Sequence, residues 1–343
     1  MILTGVKAWI DKVRHRSWVL KLGISLILIG FLIRNLNWAD LTEVFKSIRW
    51  EWCFAGYVAM WGLFALHSLR WKRLLHANGA QVPYRYTLKC YMIGYFFGHF
   101  LPTIIGGDFV RAYSMSKYGV GKTRSMTIVL IGRLIGTVAI LVLAAICLSL
   151  SGTLMKIFNI SRGNVVFFSV LLIGAMILGY GLMSSSAWIE KLGKRITVIG
   201  KAVETLRAYR NQHGVILEAF LISLVMQLFV FLRYFLVAKA FGFDLSFATV
   251  SVMTMLVVTL TMLPITVNGI GIRENGFVYF LGLVGVLPEN AFLFSIVNYS
   301  LMVLMAVTGA VIYLVGFNQG SRDLAKAAIV EEDKKQCEVV TVG

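Results

Sequence analysis

Charged residues are scarce in this chain. Only 14% of its 343 residues are Asp, Glu, Lys or Arg, against about 25% in an ordinary soluble domain. Hydrophobic residues make up 58%, and the mean hydropathy is +0.80. A water-soluble Rossmann domain and a disordered chain are excluded on that count. Acids are scarcest, 16 against 33 Lys plus Arg, which leaves a formal net charge of +17. In so apolar a chain that excess suits cytosolic loops facing anionic lipid, and no nucleic-acid partner is expected. The four cysteines, at 53, 90, 147 and 337, are too scattered for a disulfide scaffold, a zinc or haem site, or a CxxC redox pair. HExxH, GxSxG and clustered catalytic carboxylates are missing. In GVGKTR (119–124), Ser116 stands where a phosphate loop needs its first glycine. No metal set, cofactor motif or ATP site is read.

What the chain has is a series of apolar runs, each long enough to cross a bilayer as a helix. They lie at about 18–33, 51–69, 84–101, 125–150, 164–183, 214–238, 246–263 and 290–316. The first follows a basic stretch, 1–17, without a small-residue cleavage site, and reads as an uncleaved anchor. Between 34 and 50, Leu36, Leu41, Val44, Phe45 and Ile48 share one side of a helix, which suits a segment lying in the interface. Segments assigned to the cytosol (1–17, 70–89, 112–124, 184–213, 317–343) hold 22 Lys or Arg, and those assigned outside hold 6. Both termini are therefore expected inside, in a multi-pass protein of the inner (cytoplasmic) membrane. The expected divisions are a basic N-terminus (1–17), a membrane domain (18–316) and a mixed-charge tail (317–343).

Two polar, glycine-rich interruptions stand out. LPTIIGGDFVR (101–111) and LPITVNGIGIR (263–273) align without a gap at an offset of 162 residues, pairing Leu101 with Leu263, Pro102 with Pro264, Gly107 with Gly269 and Arg111 with Arg273. Each follows an apolar helix that proline ends. Three crossings expected between them give the two breaks opposite topology. The expected fold is an all-α polytopic bundle with two inverted broken or re-entrant helix segments, around 84–111 and 246–273. Irregular backbone at membrane depth must be shielded by protein or line a wet cavity, because an orphan amide in lipid costs several kcal/mol. Inverted half-helices of this kind build central sites in several secondary transporters.

Within that frame, Gly106, Gly107, Gly269 and Gly271 permit tight turns and close backbone approach. Asp108 is placed to cap the helix that carries Arg111, three residues on and on the same face. Arg111 and Arg273 offer guanidinium forks to a phosphate, and Glu274 holds Arg273 or moves a proton. The plainer alternative makes Gly-Gly and Pro a kink and Asp108–Arg111 a structural ion pair. His99, beside Phe97 and Phe100, lines the same cavity or packs. Arg133 and Arg233, inside apolar spans, need a partner or water, with Glu218 the structural candidate. Gln227 and Asn268 are candidate donors to a headgroup. Gly132 and Gly136, like Gly94 and Gly98, are spaced for close helix contacts, and the 23 Phe, 13 Tyr and 8 Trp suffice to line a lipid groove or an interface belt.

FLPTIIGGDFVRAY and LPITVNGIGIREN resemble a flippase-like integral membrane family related to the transmembrane region of lysylphosphatidylglycerol synthase. The likeness covers about residues 10–318. The family pattern LPxxxGGDxxR is met by Leu101, Pro102, Gly106, Gly107, Asp108 and Arg111; its second pattern, a proline followed by GxRE, is met by Pro264, Gly269, Gly271, Arg273 and Glu274. His99 stands where relatives often have asparagine. Members fused to an aminoacyl-transferase domain are thought to move the aminoacylated phospholipid between leaflets, and stand-alone relatives have been linked to hopanoid, glycolipid or polyprenyl-phosphate handling. The 27 residues after Gly316 are too few for an acyltransferase fold, so lipid synthesis is not expected here.

The expectation is therefore translocation of a phosphate-bearing lipid, with Arg111 and Arg273 on the headgroup and no chemistry performed. The rivals are a membrane enzyme using Asp108 or Glu274 as acid or base, and a non-transporting partner of a lipid-synthesising enzyme. The glycine-rich faces permit a homodimer without requiring one.

Overall fold

The structure is a computed structural model that describes residues 38–100, 106–116, 120–159, 212–261 and 265–340, with shorter pieces at 23, 25–32, 34, 161–165, 167, 171, 174 and 209. It is all α-helical over these residues: α1 Trp38–Ser47, α2 Trp50–Ala77, α3 Tyr84–Phe100, α4 Gly106–Ser116, α5 Lys122–Leu150, α6 Gly152–Ile157, α7 His213–Ala240, α8 Phe247–Thr261, α9 Ile272–Gly282 and α10 Pro288–Val340. Four stretches, Trp50–Ala77, Thr123–Leu150, His213–Ala240 and Pro288–Val315, are long and apolar enough to span a bilayer. The protein is thus a multi-span helical membrane bundle. The spans expected at 18–33 and 164–183 fall only in part on described residues, and Pro102 and Pro264 lie outside them. The tail expected from 317 continues α10 as helix to Val340. In α1, Leu41 and nearby Ile48 are buried as the apolar stripe requires, whereas Phe45 is exposed and meets Trp50 edge-on.

Side-chain caps define two ends of the bundle. At one end, Tyr209 donates to the Leu74 carbonyl and Gln212 Nε2 to that of Ala77 at 2.9 Å, satisfying acceptors that the last turn of α2 leaves open. Arg124, in the first turn of α5, bonds Asn78 just beyond α2. At the other end, Arg49 gives its backbone N–H to Ala240 O (3.1 Å) and Nη2 to Lys239 O (2.8 Å), pinning the start of α2 to the end of α7. Ser151, after α5, bonds Thr249 in α8 at 2.9 Å.

Both interrupted helices turn back on themselves. The α3–α4 hairpin starts and finishes at the Arg124 end, where Tyr86 Oη donates to the Ser114 carbonyl at 2.9 Å. The α8–α9 hairpin starts at the opposite end beside Ser151, and its α9 returns there, with Phe277 and Leu281 packed into a core that holds Phe243, Ala291 and Phe294. The two re-entrant hairpins therefore enter from opposite ends, as the aligned motifs required. Their tips meet, since Asn268 Nδ2 donates to the His99 carbonyl at 3.4 Å.

Glycine permits these close returns. A Cβ on Gly107 would run into the Gly94 carbonyl oxygen and stand 2.9 Å from the Gly98 Cα; one on Gly269 would stand 2.7 Å from the Thr261 Cβ. Asn268, Gly269 and Gly271 have φ of 53°, 74° and 89°, left-handed backbone that reverses the chain before α9. The long helix α10 packs against both hairpins. Gly309 seats it on α3, where an added Cβ would collide with the Met92 carbonyl and lie 3.1 Å from the Phe96 Cβ. Gly309→Ala should lower stability by about 1–3 kcal/mol through overpacking. Gly282→Ala, with open space around it, should be close to neutral in thermal unfolding of the detergent-solubilised protein.

Candidate functional site: an arginine cavity inside the bundle

Arg70 belongs to α2 and not to a loop. The helix runs eight residues past its expected end at 69, and Arg70, assigned above to a cytosolic basic segment, is buried inside the bundle with 8% of its surface exposed. At 1.5 Å per residue it sits about 10 Å inside the end of α2 at Ala77. Its Nη1 donates to Ser223 Oγ on α7 at 2.7 Å, and the Ser223 hydroxyl in turn donates a hydrogen bond to the Ala219 carbonyl. Among the described residues, no carboxylate pairs with Arg70. Gly132 and Gly136 of α5 make room for it: a Cβ at Gly136 would lie 3.2 Å from Arg70 Nη1, and one at Gly132 3.6 Å from Nη2. The spacing of these glycines thus serves a guanidinium as well as helix contact.

Around Arg70 lies a cavity of about 210 Å³, lined by His67, Trp71 and Leu74 of α2, Tyr91 of α3, Arg111 of α4, and Ile128, Val129, Gly132 and Arg133 of α5. Arg111 extends over the Tyr91 ring at 4.5 Å and ion-pairs with Asp108 one turn earlier. Arg133 reaches the other oxygen of the same carboxylate. Asp108 is 1% exposed; so deep a carboxylate persists because two guanidiniums compensate its lost hydration. Gly94 lets Arg111 lie flat, since a Cβ there would stand 2.9 Å from the Arg111 Cδ. Trp71 carries an indole N–H with no acceptor among the described residues. The cavity thus gathers donors and cations with few acceptors to meet them.

The second break builds a different centre. Glu274 Oε2 accepts the Gly271 backbone N–H at 2.6 Å, while Oε1 accepts Arg273 Nε and Nη2 at 3.1 and 2.7 Å. Both residues are buried. The Arg273 guanidinium is stacked 3.9 Å over Tyr299. Arg233 donates to the Asn298 carbonyl at 3.2 Å and lies 4.1 Å over Tyr234. Every oxygen of Glu274 is committed, so this is a closed ion pair that fixes the first turn of α9.

Rings bridge the two centres. Tyr91 and Tyr95 both pack edge-on against Phe64, Tyr95 lies 4.4 Å from His99, and the His99 ring stacks on Tyr299 at 6.3 Å. His99 Nε2 has no partner among the described residues.

Most of the residues singled out in the sequence converge on these two centres, but the division differs from the expectation. Arg111 and Arg133 line the cavity and Asp108, outside its lining, pairs with both, with Gly107 packed against Gly94 and Gly98 and Gly106 at the start of α4. Arg273 and Glu274 are brought together elsewhere, with Gly269 and Gly271 shaping the turn, His99 and Asn268 at the junction of the tips, and Arg233 alongside. Glu218 partners neither Arg133 nor Arg233 in the contacts resolved; it pairs with Arg73 on the surface at 3.0 Å. Gln227 is half-buried on α7, one turn beyond Ser223. Arg70, His67 and Tyr91 were missed. Removing the acid of the closed pair by Glu274→Ala should destabilise the protein by about 3–5 kcal/mol, with partial recovery in the Arg273→Leu, Glu274→Leu double variant, both read from unfolding in detergent.

Residues 18–315 match the family described as the lysylphosphatidylglycerol synthase TM region. The chain is 22% identical over 301 residues to a UPF0104 membrane protein of Methanothermobacter thermautotrophicus, covering 80% of this chain and 88% of that protein. It is 23% identical over 288 residues to a UPF0104 membrane protein of Archaeoglobus fulgidus, covering 76% and 84%. The match extends over nearly the whole bundle, both re-entrant hairpins and the arginine cavity included: the chain belongs to the lysylphosphatidylglycerol synthase transmembrane-region family, multi-pass membrane proteins associated with lipid modification and transport.

Proposed function

We propose that the protein translocates a phosphate-bearing lipid between membrane leaflets, and that Arg70, Arg111 and Arg133 receive its headgroup. The observation that carries this reading is Arg70: a guanidinium buried in a membrane bundle, at the wall of a cavity, whose resolved partner is a neutral hydroxyl. Burying a charge without an opposite charge is costly, and an entering anion removes that cost. Asp108 pairs with Arg111 and Arg133, so an entering phosphate competes with an internal carboxylate and is not bound irreversibly. Arg273, closed by Glu274, holds the second hairpin.

The basic end of the bundle, with Lys72, Arg73 and Arg124, is assigned to the cytosol on charge. The cavity then lies within the inner half of the membrane, and the packed rings from Tyr91 to Tyr299 lead from it toward the outer half. Acyl chains stay in lipid while the headgroup exchanges water for guanidinium and ring faces. An inside-negative potential assists outward movement of an anion by about 2.3 kcal/mol per charge per 100 mV.

The test is headgroup movement in proteoliposomes carrying fluorescent phosphatidic acid and, in parallel, fluorescent phosphatidylglycerol. Wild type should accelerate movement, Arg70→Gln and Arg111→Gln should each slow it by at least about tenfold, as expected for losing one charge-assisted contact, and Glu218→Gln should leave it unchanged. No acceleration by wild type over empty vesicles would refute the reading.

A further inference from the structure

We infer that the cavity selects a headgroup ending in a dianionic phosphate, a phosphomonoester or a terminal pyrophosphate, over the monoanionic phosphodiester of common phospholipids. The inference rests on the translocation reading above and narrows it to a substrate class.

Charge supplies the first argument. Arg111 of α4 and the half-exposed Arg133 of α5 share one carboxylate, Asp108 of α4, while Arg70 of α2, on the same cavity, has no carboxylate partner among the described residues. The described groups at the cavity therefore carry two positive charges in excess. A phosphomonoester carries about −1.5 to −2 near neutral pH and neutralises that excess; a phosphodiester, with one negative charge, leaves a cation unmatched at low dielectric.

The walls supply the second. Apart from the arginines, the lining is Trp71, Leu74, Ile128, Val129 and Gly132, with His67 and Tyr91 the other polar side chains. His67 is stacked face to face on Tyr91 at 4.7 Å, and Ser223 is already committed to Arg70 and to the Ala219 carbonyl. Among the described residues, no carboxamide or uncommitted carboxylate lines the cavity to recognise glycerol or sugar hydroxyls. An ammonium fares worse, because Asp108 already holds two guanidiniums. The bare phosphate is the group whose terminal oxygens match the donors present, including the indole N–H of Trp71. An aminoacylated headgroup, though suggested by the family's description, fits this cavity poorly.

The experiment is calorimetric binding to the full-length protein in detergent at about pH 8, where a phosphomonoester is fully dianionic. Short-chain phosphatidic acid is compared with phosphatidylmethanol, which differs by one methyl ester and one charge, and with phosphatidylglycerol and lysyl-phosphatidylglycerol of the same chains. Inorganic phosphate and pyrophosphate form the soluble arm. Phosphatidic acid should bind about tenfold more tightly than phosphatidylmethanol, the scale of one charge-assisted contact, and more tightly than inorganic phosphate. Lysyl-phosphatidylglycerol should bind least among the lipids. Arg70→Gln should bring phosphatidic acid and phosphatidylmethanol to parity, and Arg70→Lys, which keeps the charge, should retain a preference if the fold is intact. Equal binding of the two lipids by wild type would overturn the dianion selectivity and leave anion recognition standing. Inorganic phosphate binding as tightly as phosphatidic acid would overturn the lipid assignment. Binding of none of the anions would overturn both this inference and the translocation reading.

Discussion

A guanidinium cannot be left in the interior of a membrane bundle without something to answer its charge, and this constraint organises the molecule. Arg273 is answered within its own turn by Glu274 and by the face of Tyr299. Arg111 and Arg133 are answered by sharing Asp108. Arg70 is answered, among the described residues, by the hydroxyl of Ser223. The helices of both re-entrant hairpins pack against α10, and glycine makes the close approaches between their arms, at Gly94 and Gly107 in the first and at Gly269 in the second. The cavity lies between Arg70 on one wall and Arg111 and Arg133, both held by Asp108, on the other.

The two halves are alike in backbone and unlike in chemistry. At the common offset, Gly107 and Gly269 each stand where a Cβ would strike the preceding helix, but Arg111 is the sixth residue of α4 and Arg273 the second of α9. The acids do not correspond: Asp108 aligns with Ile270, and Glu274 with Ala112. An acid three residues before the arginine lies one turn away and is reachable by a second helix, so Arg133 joins it. An acid directly after the arginine folds back onto the Gly271 N–H and caps its own helix. Local placement of one carboxylate thus separates an open, cationic centre from a sealed one.

Sequence reasoning reached the fold through these breaks. Proline, paired glycines and a charged residue after a long apolar run have few explanations other than a helix that turns back, and the 162-residue offset disclosed the second. It failed at Arg70. A basic residue at the end of an apolar run, followed by Lys72 and Arg73, reads as an interfacial anchor, yet the apolar face continues through Trp71, Leu74 and Leu75. On that face His67, Arg70, Trp71 and Leu74 follow helical spacing, a periodicity that was available. The complement was not: Gly132 and Gly136 receive Arg70 only after α5 has packed on α2, and no local pattern marks a glycine that makes space for a distant arginine. The meeting of His99 and Asn268 is tertiary in the same sense.

The account stands on an anion entering between Arg70 and Arg111. The most direct measurement is an experimental structure of the protein in lipid with arsenate, a heavier phosphate mimic, located by its anomalous scattering. A peak within hydrogen-bond reach of both guanidiniums is the predicted result. A cavity filled by protein, with Arg70 paired to a carboxylate and arsenate found only on the surface, would contradict it.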